Sequence, residues 1–136
     1  MVAPMREELT QAGIKEARTA EEVDAALAQP GTTMLVVNSV CGCAAGRMRP
    51  AVRVALQNSV VPNQSITVFA GQDDEATARA RGYFEGNPPT SPAIAILRDG
   101  KLVYLMQRQL IESNPPQAIA GELARAFNEL CAETPA

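Results

Sequence analysis

Residues 33–46 have the sequence TMLVVNSVCGCAAG, an apolar run that ends on two cysteines, Cys41 and Cys43. A continuous run of apolar, partly β-branched residues is typical of a strand buried on both faces of a parallel sheet. Open α/β sheets place reactive groups beyond the carboxyl ends of such strands, where N–H groups of the next helix add partial positive charge. That environment favours a thiolate, the form of cysteine that attacks disulfides and binds metals. The stretch therefore predicts a central strand that delivers a reactive thiol.

The composition limits the classes of protein to consider. With 136 residues, we expect residues 1–136 to form a single domain whose core needs no disulfide or structural metal. The net charge of -3, without a basic stripe, argues against nucleic-acid binding. No apolar stretch has the length of a membrane span, and the first eight residues lack the pattern of a secretory signal. We therefore expect a cytoplasmic protein that does not enter a membrane.

The cysteine and histidine content limits the kinds of catalytic and metal site that the protein can form. Three cysteines in a reducing compartment predict redox or metal chemistry rather than a structural disulfide framework. Histidine is absent, which removes the usual general base, the Cys–His nucleophile pair and all zinc sites that contain histidine. Cys131 falls on the apolar face of the last predicted helix, where a free cysteine commonly serves as a small buried hydrophobe. Cys41 and Cys43 remain the candidates for chemistry.

The hydrophobic periodicity predicts an α/β fold. Two amphipathic helices precede the central strand, and further strands are predicted at 65–70, 93–97 and 101–106. Asp99-Gly100 between the last two strands predicts a β-hairpin. Helices are predicted after the first and second of these four strands and at the C-terminus. The order β-α-β-α-β-β-α predicts a central mixed four-stranded sheet flanked by helices, with two parallel strands and an antiparallel hairpin.

Local signals predict how several helices begin. Thr19 and Glu22 form a capping box at the start of the second helix. Asp73 is expected to cap the helix after the second strand, and Asn114-Pro115 to start the last helix. Pro50 is expected to kink, about two turns in, the helix that follows the cysteines.

The order of elements, with two cysteines after the first strand and Pro92 just before the third, resembles the thioredoxin fold. The closer resemblance is to the bacilliredoxins, thioredoxin-like proteins with a Cys-Gly-Cys motif. Five segments carry it, and they span nearly the whole chain: PMR at 4–6, VNSVCGCAAG at 37–46, VFAGQD at 68–73, Ser91-Pro92, and FNELC at 127–131. One departure is that Arg108-Gln109 stands where members of the family carry Arg-His, so no role for that histidine transfers.

The resemblance implies an enzyme that reduces mixed disulfides between proteins and bacillithiol, a small cellular thiol. Bacillithiol would then be a co-substrate, no other cofactor is implied, and S-bacillithiolated proteins would be the partners. By position, Cys41 attacks the mixed disulfide, and Cys43 is the candidate for resolving the adduct. Pro92 would be cis and, with Ser91, would present a backbone edge to the substrate disulfide.

Four further residues are weaker candidates for the site. Gly42 and Asn38 could line it, and Arg47 could bind the carboxylates of bacillithiol. Without a histidine, peptide dipoles and Arg47 or Arg49 would have to favour the thiolate. The alternative for both arginines is an ordinary solvated surface position.

The one-residue spacing of the two cysteines predicts a strained disulfide. Residues two apart do not face each other on a helix, so a Cys41–Cys43 bridge would close a tight ring that needs the backbone freedom of Gly42. Strained disulfides are more oxidising, and we predict a reduction potential less negative than the value of about −270 mV for thioredoxin. Equilibration with thiol redox buffers measures it; a potential as negative as that of thioredoxin contradicts the prediction.

Two other functions use the same thiols. A binding module could hold Cu(I) or zinc through Cys41 and Cys43, although two cysteines are too few for a closed tetrahedral site within one chain. A disulfide isomerase would reshuffle protein disulfides rather than remove a small thiol.

Overall fold

A five-stranded mixed sheet organises the protein, for which a computed structural model describes residues 3–42, 44–84, 86–87 and 90–131, with the backbone alone at 44 and 45. The strands are β1 (Lys15–Glu16), β2 (Thr32–Asn38), β3 (Gln64–Phe69), β4 (Ala93–Arg98) and β5 (Lys101–Met106), in the spatial order β1-β3-β2-β4-β5. The expected count of four strands is corrected by β1, whose two residues pair in parallel with Ile66 and Thr67 at the edge of β3. Two residues are too few to produce a period, so the sequence pattern does not reveal this strand.

Strand β2 lies at the centre of the sheet, and all seven of its residues are buried. It runs parallel to β3 and antiparallel to β4, so that Leu35 lies opposite Ile66 on one side and Ala95 on the other. The hairpin between β4 and β5 turns at Asp99-Gly100, as predicted, with positive φ at both residues. The carboxyl end of β2 is therefore held between two neighbouring strands just before Cys41.

Six α-helices pack on the sheet in the described part of the chain. They are α1 (Ala3–Thr10), α2 (Ala20–Leu27), α3 (Arg49–Ala55), α4 (Asp74–Gly82), α5 (Arg108–Ser113) and α6 (Pro116–Leu130). The two N-terminal helices are confirmed, and Thr19 caps α2 by accepting the Glu22 N–H. None of the helices among the described residues has the length and apolar character that crossing a bilayer requires.

Two helical segments differ in detail from the prediction. A π-helical turn, Ala44–Met48, runs directly into α3 through helical backbone at Met48, so Pro50 lies within a continuous helical segment, just after the change from π to α geometry. Proline removes one N–H from the helical ladder, and a π-helical turn is, like proline, a feature at which helices bend. Helix α6 starts one residue late, at Pro116, because Asn114 instead donates to the Leu110 carbonyl at the end of α5.

The sheet has an apolar core on each face. Alternating residues of β2 and β4 point to opposite sides, as the pleat requires. One core lies beneath α1, α3, α5 and α6 and includes Met34, Val36, Ile94, Ile96, Leu123 and Phe127. The other lies beneath α2 and α4 and includes Val23, Leu35, Val37, Val68 and Ala80. Both faces of β2 are thus covered, which fixes the strand that carries the thiol site.

Candidate active site

Cys41 lies three residues beyond the carboxyl end of β2 and is partly exposed. It packs against the core cluster beneath α1, α3, α5 and α6, and its neighbours in the chain, Val40 and Gly42, are exposed. The second predicted catalytic residue, Cys43, lies outside the described residues. The described geometry therefore concerns Cys41 and the groups that hold it.

Ser39 contacts Cys41 through two hydrogen bonds. The Ser39 Oγ accepts the backbone N–H of Cys41 at 3.1 Å, and its hydroxyl donates to Cys41 Sγ at 3.1 Å. A hydrogen bond donated to sulfur favours the charged thiolate over the neutral thiol. Ser39 is not among the site residues predicted from the sequence; its position two residues before the cysteine is the spacing at which serine commonly accepts a backbone N–H.

Arg49, at the start of α3, is buried beneath this loop, with only 2% of its surface exposed. Its Nη1 atom donates to the Ser39 carbonyl at 2.9 Å and to Asn38 Oδ1 at 3.0 Å. Its Nε atom donates to Glu8 Oε1 of α1 at 2.9 Å. The alternative of a solvated surface position is therefore wrong for Arg49. It is a buried cation that pairs with the Glu8 carboxylate and donates to the Asn38 side chain and the Ser39 carbonyl.

Asn38 has no exposed surface. Its Oδ1 accepts the Ser39 N–H at 2.9 Å as well as Arg49, and its Nδ2 donates to the Met5 carbonyl of α1 at 3.3 Å. The expectation that Asn38 lines the substrate site does not fit this burial. The residue instead supports the loop from beneath.

Helix α1 is tied to the same end of the sheet through Arg6. The guanidinium makes two 2.8 Å hydrogen bonds to the Asp73 carboxylate and stacks 5.1 Å from the centre of the Phe69 ring. Asp73 stands at the N-cap position of α4 but makes no side-chain capping bond, so its expected role as a cap is corrected. Its carboxylate is engaged by an arginine 67 residues away in the sequence.

Ser91-Pro92 is a cis peptide bond, as the resemblance implies. Ala93 pairs with Val37 across the β2–β4 ladder, which places Pro92 at the level of Asn38, at the end of β2 that leads to Cys41. Pro92 is buried, whereas Ser91 is partly exposed. Of the two, Ser91 offers the greater surface to a substrate.

Gly42 and Arg47 flank the cysteine on its C-terminal side. Gly42 is exposed, has no positive φ, and a Cβ added there would meet no described atom within 4 Å, so this conformation does not itself require glycine. Arg47 is partly buried and donates to the Asn114 carbonyl at 2.8 Å, which connects the π-helical turn to the junction of α5 and α6.

Cys131 lies at the other end of the sheet. It follows α6 and interacts with Thr32, the first residue of β2, and burial raises the pKa of its thiol. The seven residues of β2 separate the two ends by roughly 20 Å, at about 3.3 Å per residue. Cys131 is therefore remote from Cys41. Among the described residues, no group of three or more His, Cys, Asp or Glu side chains could hold a metal ion.

Comparison with solved structures identifies the fold. A solved protein with a thioredoxin fold superimposes with a TM-score of 0.66 at 10% identity, covering 85% of this chain and 95% of the other. A mutant thioredoxin from Halobacterium salinarum gives a TM-score of 0.59 at 16% identity, covering 89% and 93%. The fold is thioredoxin-like.

Comparison with known sequences identifies the family. A family model described as disulphide isomerase matches residues 1–131. A bacilliredoxin of Koribacter versatilis is 56% identical, covering 98% of this chain and 93% of that protein. Bacilliredoxins of Geobacillus kaustophilus and Staphylococcus aureus are 50% and 47% identical, each covering 98% of this chain and 92% of the relative. The cysteine loop at the end of β2, the cis proline beside it and this similarity over nearly the whole length agree, and the chain belongs to the bacilliredoxin family.

Proposed function

We propose that the protein is a cytoplasmic thiol-disulfide oxidoreductase that removes bacillithiol from S-bacillithiolated proteins. The observation that carries the proposal is a partly exposed Cys41 whose Sγ accepts a hydrogen bond from Ser39 at the end of the central strand. Membership of the bacilliredoxin family supports the redox chemistry. The substrate and the roles of the two cysteines are part of the proposal.

The reaction balances as a thiol-disulfide exchange. The Cys41 thiolate attacks the bacillithiol sulfur of the mixed disulfide, the sulfur–sulfur bond to the client breaks, and the client thiolate leaves and takes a proton from water. Cys41 then carries bacillithiol. Either Cys43 attacks Cys41 Sγ and releases bacillithiol, leaving a Cys41–Cys43 disulfide for a small thiol to reduce, or a second bacillithiol attacks the adduct and leaves as bacillithiol disulfide.

Groups around Cys41 would bind the substrate. Ser91, beside the buried Pro92, would offer its backbone edge to the mixed disulfide. The exposed Gly42 would let the client segment approach closely. One terminal nitrogen of Arg47 binds a backbone carbonyl, and the remaining donors of its guanidinium would bind a carboxylate of bacillithiol.

Treatment with bacillithiol disulfide tests the cysteine roles. Cys41→Ala and Cys43→Ala variants are each incubated with the reagent and weighed by intact-protein mass spectrometry. We expect one bacillithiol adduct on the Cys43→Ala protein, mapped to Cys41, and none at Cys43 in the Cys41→Ala protein. The reverse pattern would exchange the two roles.

Disulfide isomerisation is the second candidate, and the description of the matching family model favours it. An isomerase would recover activity from scrambled ribonuclease faster than it releases bacillithiol from a capped protein, at equal enzyme concentration. The proposed function requires the opposite order of rates.

A further inference from the structure

We infer that Ser39 is a further catalytic residue, which stabilises the Cys41 thiolate through its hydroxyl, and that Arg49 is the residue that positions Ser39. This inference deepens the proposed function and rests on it in taking Cys41 as the nucleophile. It also supplies an activating group in a chain that contains no histidine.

The two hydrogen bonds of Ser39 fix the direction of its single hydrogen. Because Oγ accepts the Cys41 N–H at 3.1 Å, the hydroxyl hydrogen is directed away from that amide, and Sγ lies 3.1 Å from the oxygen. Ser39 is only 7% exposed, so water competes weakly for the hydroxyl. Hydrogen bonds to ionised groups are the stronger ones, and the bond therefore stabilises the thiolate more than the thiol.

Arg49 holds the backbone on which this hydroxyl stands. The Ser39 N–H donates to Asn38 Oδ1, and the Ser39 carbonyl accepts from Arg49, which also donates to that same Asn38 oxygen. Both peptide groups of Ser39 are thus fixed by one buried pair, Asn38 and Arg49. Glu8 of α1 orients the guanidinium from the other side through Nε.

The guanidinium geometry makes this role specific to arginine. The Nε and Nη1 atoms of Arg49 lie in the plane of the guanidinium and donate to three oxygens. Nε donates to Glu8, and Nη1 donates to the Asn38 side chain and the Ser39 carbonyl. A lysine ammonium retains the charge but is a single point at the end of a flexible chain, so it cannot reproduce this arrangement. Arg49→Lys therefore separates positioning from charge.

The pH dependence of Cys41 alkylation tests the hydroxyl. In a Cys43→Ala/Cys131→Ala background, iodoacetamide modifies Cys41 alone, and the rate rises with the thiolate fraction. We expect Ser39→Ala to move the midpoint of this rise upward by about one pH unit, the equivalent of one hydrogen bond to a charged group. Ser39→Thr, which keeps a hydroxyl, should restore the midpoint. An unchanged midpoint in the alanine variant overturns the role of Ser39.

A double-mutant cycle tests whether Arg49 acts through Ser39. Arg49→Lys is measured with Ser39 present and with Ser39→Ala, and urea unfolding confirms that each variant is folded. We expect Arg49→Lys to raise the alkylation midpoint only when the serine hydroxyl is present, because coupled residues are not additive. Equal shifts in both backgrounds, or none in either, would overturn the positioning role. Arg53→Lys, an exposed change on the same helix, is the matched control.

The alkylation assay contains no bacillithiol, so its outcome is separate from that of the proposed function. A protein that alkylates as expected but does not release bacillithiol from clients would refute the substrate assignment alone. A protein that releases bacillithiol with an alkylation midpoint insensitive to Ser39 would refute this inference alone.

Discussion

Replacing Cys41 with alanine is expected to lower the rate of bacillithiol release from an S-bacillithiolated protein by at least about three orders of magnitude, to the background of uncatalysed exchange. The variant lacks the sulfur that, under the proposed function, attacks the mixed disulfide. The rate is measured by mass spectrometry of the client under single-turnover conditions. Urea unfolding of the same variant checks that the fold is retained.

Cys131→Ala is the matched control for this experiment. Cys131 lies at the opposite end of β2, and burial raises the pKa of its thiol, which lowers its thiolate fraction at neutral pH. We expect the control to release bacillithiol at the rate of the unmodified protein. A large loss in the Cys131 variant together with a small one in the Cys41 variant would contradict the assignment of the nucleophile.

Phe127→Ala is expected to lower the free energy of unfolding by about 3–5 kcal/mol, the range found for removal of a buried phenylalanine ring. Phe127 has no exposed surface and lies in the core cluster against which Cys41 packs. Single domains are commonly stable by only about 5–15 kcal/mol, so the change would remove a large share of the total. Urea denaturation followed by circular dichroism measures the loss.

Gln117→Ala provides the comparison within the same helix. Gln117 is exposed near the start of α6, and surface changes of this kind usually alter stability by no more than about 0.5 kcal/mol. If Phe127→Ala were as mild as the control, the ring would not be part of the core, and the described packing of α6 on the sheet would be wrong.

The sequence predicts the sheet well where strands are long and buried. The apolar runs of β2, β3, β4 and β5 and the Asp99-Gly100 turn each carry a local signal, and all five features appear in the structure. The capping box at Thr19 also depends on residues only three apart. Local patterns of this kind persist because the tertiary contacts favour the same conformation.

The hydrogen bonds and ion pairs that support the site are not predictable from the sequence, because the residues that form them are far apart in the chain. Arg49 pairs with Glu8, which is 41 positions away in the sequence, and Arg6 pairs with Asp73, which is 67 positions away. An isolated arginine on a helix gives no sign that it will be buried, and Asp73 at a helix start is expected to be a cap. The fold instead brings α1 against the loops that follow β2 and β3, so that Glu8 and Arg6 of α1 form these two ion pairs.

The contacts of α1 connect the N-terminal segment of the family resemblance with its cysteine motif. Met5 accepts from Asn38, and Glu8 binds Arg49, so two successive turns of one helix contact the support of Ser39. In the sequence, the segments 4–6 and 37–46 are two separate points of resemblance to the family. In the structure, α1 and the loop that follows β2 form one assembly beneath Cys41.

The most direct test of the account is the identity of the adduct that an S-bacillithiolated protein leaves on the Cys43→Ala variant. We expect a single bacillithiol on Cys41 and a client with a free thiol, since the proposed attack is on the bacillithiol sulfur. A variant joined to the client by a disulfide, with bacillithiol released, or a variant that carries no adduct, would contradict it.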